Sequence, residues 1–239
     1  MTRWCRCLAI AALTVAAVGS ALAQDALHYP GVRETDQRVI VDPGEPPWNA
    51  IAKIQTNVGG RCTGVLIAPT IVLTAAHCLY NRLTHALLQP VSLHVLLGYQ
   101  RGAYRWHRLV TRYKIGEGFD GNRPPPQTAG WARIELAEAV PKVITPLAIT
   151  QRPPVSGMEI ALTGYNQDRA QLLMADLHCH IGVVTPRPGG TLLLHDCSAT
   201  RGTSGGPLLI RESDDWVVIG INIAAGDLAN VALAAPRVN

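Results

Sequence analysis

Phenylalanine occurs once in this chain of 239 residues, methionine three times, and charged side chains make up only 16% of it. Beyond the amino terminus no apolar run approaches the roughly 20 residues that a spanning helix requires, which argues against a multi-pass membrane protein. The scarcity of charge does not signal disorder either, because apolar residues reach 48%, more than a chain that stays unfolded carries. What the sequence has in quantity is Gly (22) and Pro (17). Many short, turn-punctuated segments are therefore expected in place of long helices, and the fold class that follows is all-β. The length suits one large β domain or two small ones, either able to bury a real core.

Residues 1–23 read as a signal peptide. Arg3 and Arg6 precede an apolar run from Leu8 to Val18, and Ala21-Leu22-Ala23 has the small-x-small form of a cleavage site. The run is too brief for an anchor. Its removal leaves Cys62, Cys78, Cys179 and Cys197, an even set that favours two disulfides in a secreted or periplasmic chain. The remaining basic surplus is too small to suggest nucleic acid as a partner. No membrane contact is expected after signal removal, and a monomer is expected.

Residues 24–47 are polar and aperiodic and read as an N-terminal arm or propeptide. Strand-like runs follow at Ile51–Thr56, Arg61–Ile67, Ile71–Thr74, Leu93–Tyr99, Arg105–Tyr113 and Trp131–Leu136. A second set lies at Met158–Gly164, Leu172–Ile181, Thr191–His195, Pro207–Ile210 and Trp216–Ala224. Between the sets, Pro141, Pro146, Pro153 and Pro154 remove ladder donors and suit a connector. Two β units, 48–148 and 149–239, are expected.

Two segments carry the chemistry. In Leu73-Thr74-Ala75-Ala76-His77-Cys78 a β-branched run ends in small residues beside an imidazole. In Gly202-Thr203-Ser204-Gly205-Gly206-Pro207 glycines flank a serine, leaving its hydroxyl open and freeing backbone N–H groups to converge on one point. A serine needs a base within hydrogen-bond reach to act as a nucleophile, and histidine has a suitable pKa.

With His77 preceding Ser204, and with Gly60-Arg61-Cys62-Thr63-Gly64-Val65-Leu66-Ile67 before the histidine, the chain resembles the trypsin-like serine proteases over roughly residues 48–226. The bacterial glutamyl endopeptidases are the most similar in style. The resemblance implies two six-stranded antiparallel Greek-key barrels with the active site in the cleft between them. It also implies Ser204 as nucleophile, His77 as general base then acid, and the N–H groups of Gly202 and Ser204 as oxyanion hole. No cofactor and no metal are implied, and the substrate would be a polypeptide. Cys62 is placed to pair with Cys78. A Cys179–Cys197 disulfide is expected over a zinc site built from His178-Cys179-His180 and His195-Asp196-Cys197, because on a strand Cys179 points away from its two neighbours.

The sequence departs from these relatives at three places. Gly130 stands where the family carries the triad aspartate, so no carboxylate meets the imidazole from there; Asp120 is a candidate substitute, and Gly130→Asp is expected to raise the rate if the space allows. Thr203 replaces the acid that in many relatives pairs with a freshly cut amino terminus, so an oxyanion hole formed without cleavage is expected. The expected pocket base, Ser198, is uncharged, and Asn222 stands where glutamyl endopeptidases carry a histidine. A small or neutral primary pocket is expected, with Arg201 at its rim. The missing acid also leaves room for a second reading, a protease homologue that is weak or inactive and acts as a binding protein.

Overall fold

The structure, a computed structural model, is described over residues 29–236; the expected signal peptide lies outside the described residues. Twelve strands form two closed, six-stranded antiparallel barrels. The first contains β1 (Ile51–Thr56), β2 (Arg61–Ala68), β3 (Ile71–Ala75), β4 (Leu93–Leu97), β5 (Trp106–Ile115) and β6 (Trp131–Leu136), closed in the order β1-β2-β3-β6-β5-β4. The second contains β7 (Glu159–Tyr165), β8 (Leu173–Arg187), β9 (Gly190–His195), β10 (Pro207–Glu212), β11 (Asp215–Ala224) and β12 (Asn230–Ala234). Its order is β8-β7-β10-β11-β12-β9, and β9 returns to β8. Helical segments among the described residues are 3-10 turns of three or four residues.

The strands form where the apolar pattern has a period of two. In β6, Ala132, Ile134 and Leu136 are buried and alternate with half-buried Trp131, Arg133 and Glu135. In β1 and β11 the burial is nearly continuous, because the face turned away from the barrel interior is itself covered. Ile54, Leu66, Leu73, Leu97 and Ile134 fill the core that includes the first barrel. Ile160, Leu162, Leu193, Leu208 and Ile219 form a second cluster in the other barrel.

The pairing register carries the chemistry-bearing residues to one place. β3 runs between β2 and β6, with Gly64 opposite Thr74 and Ala75 opposite Trp131. His77, in the turn after β3, and Gly130, just before β6, are thereby brought side by side, and Ala76 N–H donates to the Gly130 carbonyl at 2.8 Å. β10 leaves the Ser204 loop between β7 and β11, with Pro207 opposite Ile221.

Three local features differ from the sequence reading. β8 does not end at Ile181 as expected: it continues to Arg187 and turns through Pro188-Gly189, the tip of a hairpin with Gly189 at φ +83°. β12, Asn-Val-Ala-Leu-Ala, is too short and too alanine-rich to register as a strand from its composition, and its pairing with both β9 and β11 makes it one. The arm is more engaged than its polar composition implies, since Val39–Ile40 adds to the edge of β8 opposite Ala175 and Met174.

Both disulfides form, Cys62–Cys78 within the first barrel and Cys179–Cys197 within the second. The first ties β2 to the histidine turn across a sequence separation of 16. Replacing Cys62 and Cys78 together by serine is expected to lower unfolding stability by about 3 kcal/mol on the chain-entropy account, measured by urea titration; unchanged stability would refute this.

Candidate active site

The Ser204 loop of the second barrel is bound to the first barrel through one buried residue, Thr63 on β2. Thr63 N–H donates to the Ser204 carbonyl at 2.9 Å, and its hydroxyl donates to the Gly202 carbonyl at 2.8 Å while accepting the Tyr165 N–H at 2.9 Å. Its own carbonyl accepts the Thr74 hydroxyl at 2.7 Å. Gly205 completes the junction. A Cβ there would lie 2.1 Å from Thr74 Oγ1 and 2.3 Å from the Thr63 carbonyl oxygen, and φ is +80°. No other residue type fits.

This junction brings the two motifs together. The Ser204 carbonyl oxygen lies 3.8 Å from Cys78 Sγ, and a nitrogen of the adjoining His77 ring lies within 4.8 Å of the sulfurs of Cys62 and Cys78. Both side chains are half-buried. Among the described residues none hydrogen-bonds to the His77 ring or the Ser204 hydroxyl, and neither is sealed from solvent. Burial pushes the His77 pKa down to about 4, helped by the nearby positive charge of Arg82. The ring is therefore neutral at physiological pH and able to accept a proton.

The backbone around Gly202 is held from behind. The Arg201 carbonyl accepts the Gln167 N–H at 2.7 Å, and in a trans peptide this turns the Gly202 N–H the opposite way. Gly202 sits at φ +94°, where a Cβ would come 2.6 Å from the Tyr165 carbonyl oxygen. Thr203, fully buried, donates its hydroxyl to Asn166 Oδ1 at 2.8 Å.

Gly130 has no room for the aspartate considered there from the sequence. A Cβ would lie 2.7 Å from the backbone oxygen of Gln127, which also accepts the Gly130 N–H in a tight turn. Asp120 is occupied elsewhere. It caps the Asn122 N–H at 3.0 Å and faces Arg123 at 3.6 Å, with about half of its side chain exposed. No hydrogen bond links it to His77.

The residues expected at the primary pocket have partners inside the protein. Ser198 is buried; its N–H donates to Asp176 Oδ2 at 2.8 Å and its hydroxyl accepts the Arg33 N–H at 3.1 Å. Asn222 is buried too, and its Oδ1 accepts the His195 Nε2–H at 3.1 Å. Burial lowers the His195 pKa to about 4, and its Nδ1 has no hydrogen-bond partner among the described residues. Arg201 is exposed and lines a cavity of about 430 Å³ with Lys53, Arg61 and Gly202. Lys53 is almost fully buried, lies 3.7 Å over the Tyr99 ring and donates to the Ala170 carbonyl at 2.7 Å. Burial, with Arg61 nearby, lowers its pKa to about 8.

Thr63, Asn166, Asp176 and Lys53 were not visible as site residues from sequence, because each is an ordinary residue of a strand or turn until the barrels close. His195 was considered there only as a zinc ligand. The cysteine sulfurs that flank His77 and Asp196 are in disulfides, so they offer no thiolate.

Two barrels with a serine loop and a histidine turn at their junction define a chymotrypsin-type hydrolase architecture. The family model for the trypsin-like peptidase domain matches residues 62–221, and the chain belongs to that family. It is 22% identical over 209 residues to mannan-binding lectin serine protease 1 of Rattus norvegicus, covering 74% of this chain and 30% of that protein. The chain thus spans less than a third of the length of that curated relative. A Glu endopeptidase solved in complex with MPD superposes with a TM-score of 0.70 at 23% identity, over 85% of this chain and 93% of the other. At that identity the likeness establishes the fold.

Two outcomes follow from the site. Gly130→Asp is expected to destabilise the fold by about 1–3 kcal/mol through overpacking, read as a lower melting temperature; an unchanged melting temperature would show that the 127–130 turn opens freely. His77 and His195 both have folded pKa values near 4, below the free value of 6.5. Above pH 6.5 they are neutral folded or unfolded, whereas between pH 6.5 and 4 only the unfolded chain takes up protons. Stability is therefore expected to fall across that window, by up to about 1.4 kcal/mol per pH unit for each histidine, and denaturant titrations at several pH values measure it.

Proposed function

We propose that the protein is an exported serine endopeptidase, secreted or periplasmic, that hydrolyses peptide bonds through an acyl-enzyme on Ser204. The observation that carries this reading is the junction at Thr63, which holds the serine loop against the histidine turn while leaving the Ser204 hydroxyl and the His77 ring without competing partners among the described residues. The two disulfides, and the absence among the described residues of a helix long and apolar enough to cross a membrane, are compatible with export.

In this mechanism Ser204 Oγ attacks the scissile carbonyl carbon and its proton passes to His77. The oxyanion is received by the N–H groups of Gly202 and Ser204. Collapse expels the amine, which takes the proton back from His77. A water then repeats the sequence on the acyl carbonyl and releases the acid.

The absence of a carboxylate at Gly130 lowers the efficiency expected of this machinery. In the general triad template, loss of the acid costs about 10⁴ in turnover while leaving about 10³ or more over water. A His77 ring with a pKa near 4 is a weak base, so slow acylation is the natural outcome. The crowded Gly130 also favours a second reading, a homologue that has exchanged turnover for binding.

A fluorescent organophosphonate separates the two. Slow covalent labelling is expected, abolished in Ser204→Ala and His77→Ala. Its rate is expected to fall on the acid side only as pH drops through about 4, where His77 takes up its proton. No labelling between about pH 6 and 10 would favour the binding protein.

A further inference from the structure

We infer that Arg38 is a positioning residue, an internal cation that holds the Gly202–Ser204 loop in its amide-forward arrangement through Asn166 and Thr203. The inference rests on the hydrolase reading and goes beyond it, because it names what replaces a cleaved amino terminus in ordering the loop.

Arg38 lies in the arm just before Val39–Ile40, and its guanidinium is buried on the underside of the serine loop. Nη1 donates to Asn166 Oδ1 at 2.8 Å. The same oxygen accepts the Thr203 hydroxyl at 2.8 Å and the Thr200 N–H at 3.0 Å. One amide oxygen thus gathers the cation and two residues of the loop, and Thr203 directly precedes Ser204. Asn166 neighbours Gln167, whose N–H orients the Arg201–Gly202 peptide.

The cation is compensated. Nε and Nη2 donate to the two carboxylate oxygens of Asp36, each at 2.8 Å, and Nη2 donates to Asp168 Oδ2 at 2.6 Å. Asp168 Oδ1 in turn accepts the Thr200 hydroxyl at 2.9 Å. Burial works against the charge on Arg38, but the hydrogen bonds to Asp36 and Asp168 outweigh it and raise its pKa. Asp36 and Asp168 are both held below the usual carboxylate range despite their own burial, chiefly by Arg38.

A guanidinium suits this position where an ammonium would not. Its planar fork serves two carboxylates and an amide oxygen at once. The charge belongs to a side chain, so a new amino terminus is not what has to deliver it. The buried Arg38 also leaves little for an activating protease to grip at the Arg38–Val39 bond.

The test uses the full chain and two independent readouts. In Arg38→Ala, amide hydrogen exchange across residues 200–206 is expected to quicken about tenfold or more, and organophosphonate labelling of Ser204 to slow by a similar factor. Added guanidinium is expected to recover both. Thr203→Val, which cuts the link on the loop side, is expected to show the same exchange and labelling changes with no recovery by guanidinium. Arg112→Ala, which removes an exposed arginine paired with Glu135, is expected to change neither. Should Arg38→Ala fail to fold, Arg38→Lys, which keeps charge without the fork, is expected to show intermediate exchange. Unchanged loop exchange in the Arg38 variants would overturn the proposal, as would labelling that appears only after scission of the Arg38–Val39 bond. A wild-type chain that takes no probe, with loop exchange still governed by Arg38, would overturn the hydrolase reading and leave the positioning role standing.

Discussion

The site depends on the four hydrogen bonds of Thr63. A threonine with no exposed surface must satisfy its backbone and hydroxyl inside the protein, and this one does so by reaching across from the first barrel to the loop of the second. The barrels could each close without this contact, since their ladders are internally complete. Other bonds also cross the seam, such as Lys53 to the Ala170 carbonyl and the Tyr165 hydroxyl to the Tyr99 carbonyl, but Thr63 is what pins the serine loop to it. Because the partners at that seam are the carbonyls of Gly202 and Ser204, the requirement to pair buried polar groups becomes a requirement on where the serine sits.

Charge is distributed unevenly around that seam. Behind the serine loop, one guanidinium and two carboxylates compensate each other in a network that also captures an amide and two threonines. On the histidine side no acid among the described residues bonds the ring, and beyond burial the charge that acts on it is the repulsive Arg82. The backbone that would receive negative charge is rigidly supported, whereas the base that would receive a proton is not electrostatically favoured. On the proposed mechanism, such a chain is better prepared to stabilise an oxyanion than to generate the nucleophile.

Much of the fold was legible because β-strands announce themselves through period-two burial and turn residues. Eleven of the twelve barrel strands correspond to runs of Val, Ile, Leu and Thr, and β12 was missed because Asn230–Ala234 owes its strand to pairing with β9 and β11. The His77 and Ser204 motifs were legible because local chemistry requires small residues beside them. The supporting residues were not. Thr63 looks like any strand threonine, and nothing local in Asn166 or Arg38 points to a partner more than a hundred residues away. The same limit applies to Gly130: that the residue is a glycine is plain from the sequence, but the carbonyl of Gln127 that would crowd any side chain there appears only when the turn closes.

That crowding at Gly130 restricts the routes by which the chain can change. A lone substitution to aspartate meets main chain, which cannot swing aside as a side chain would, so the carboxylate has no foothold until the Gln127–Gly130 turn has been rebuilt. Any history or laboratory selection that places an acid at position 130 has to remodel that loop first. The order of mutations, more than their number, decides whether the path is open.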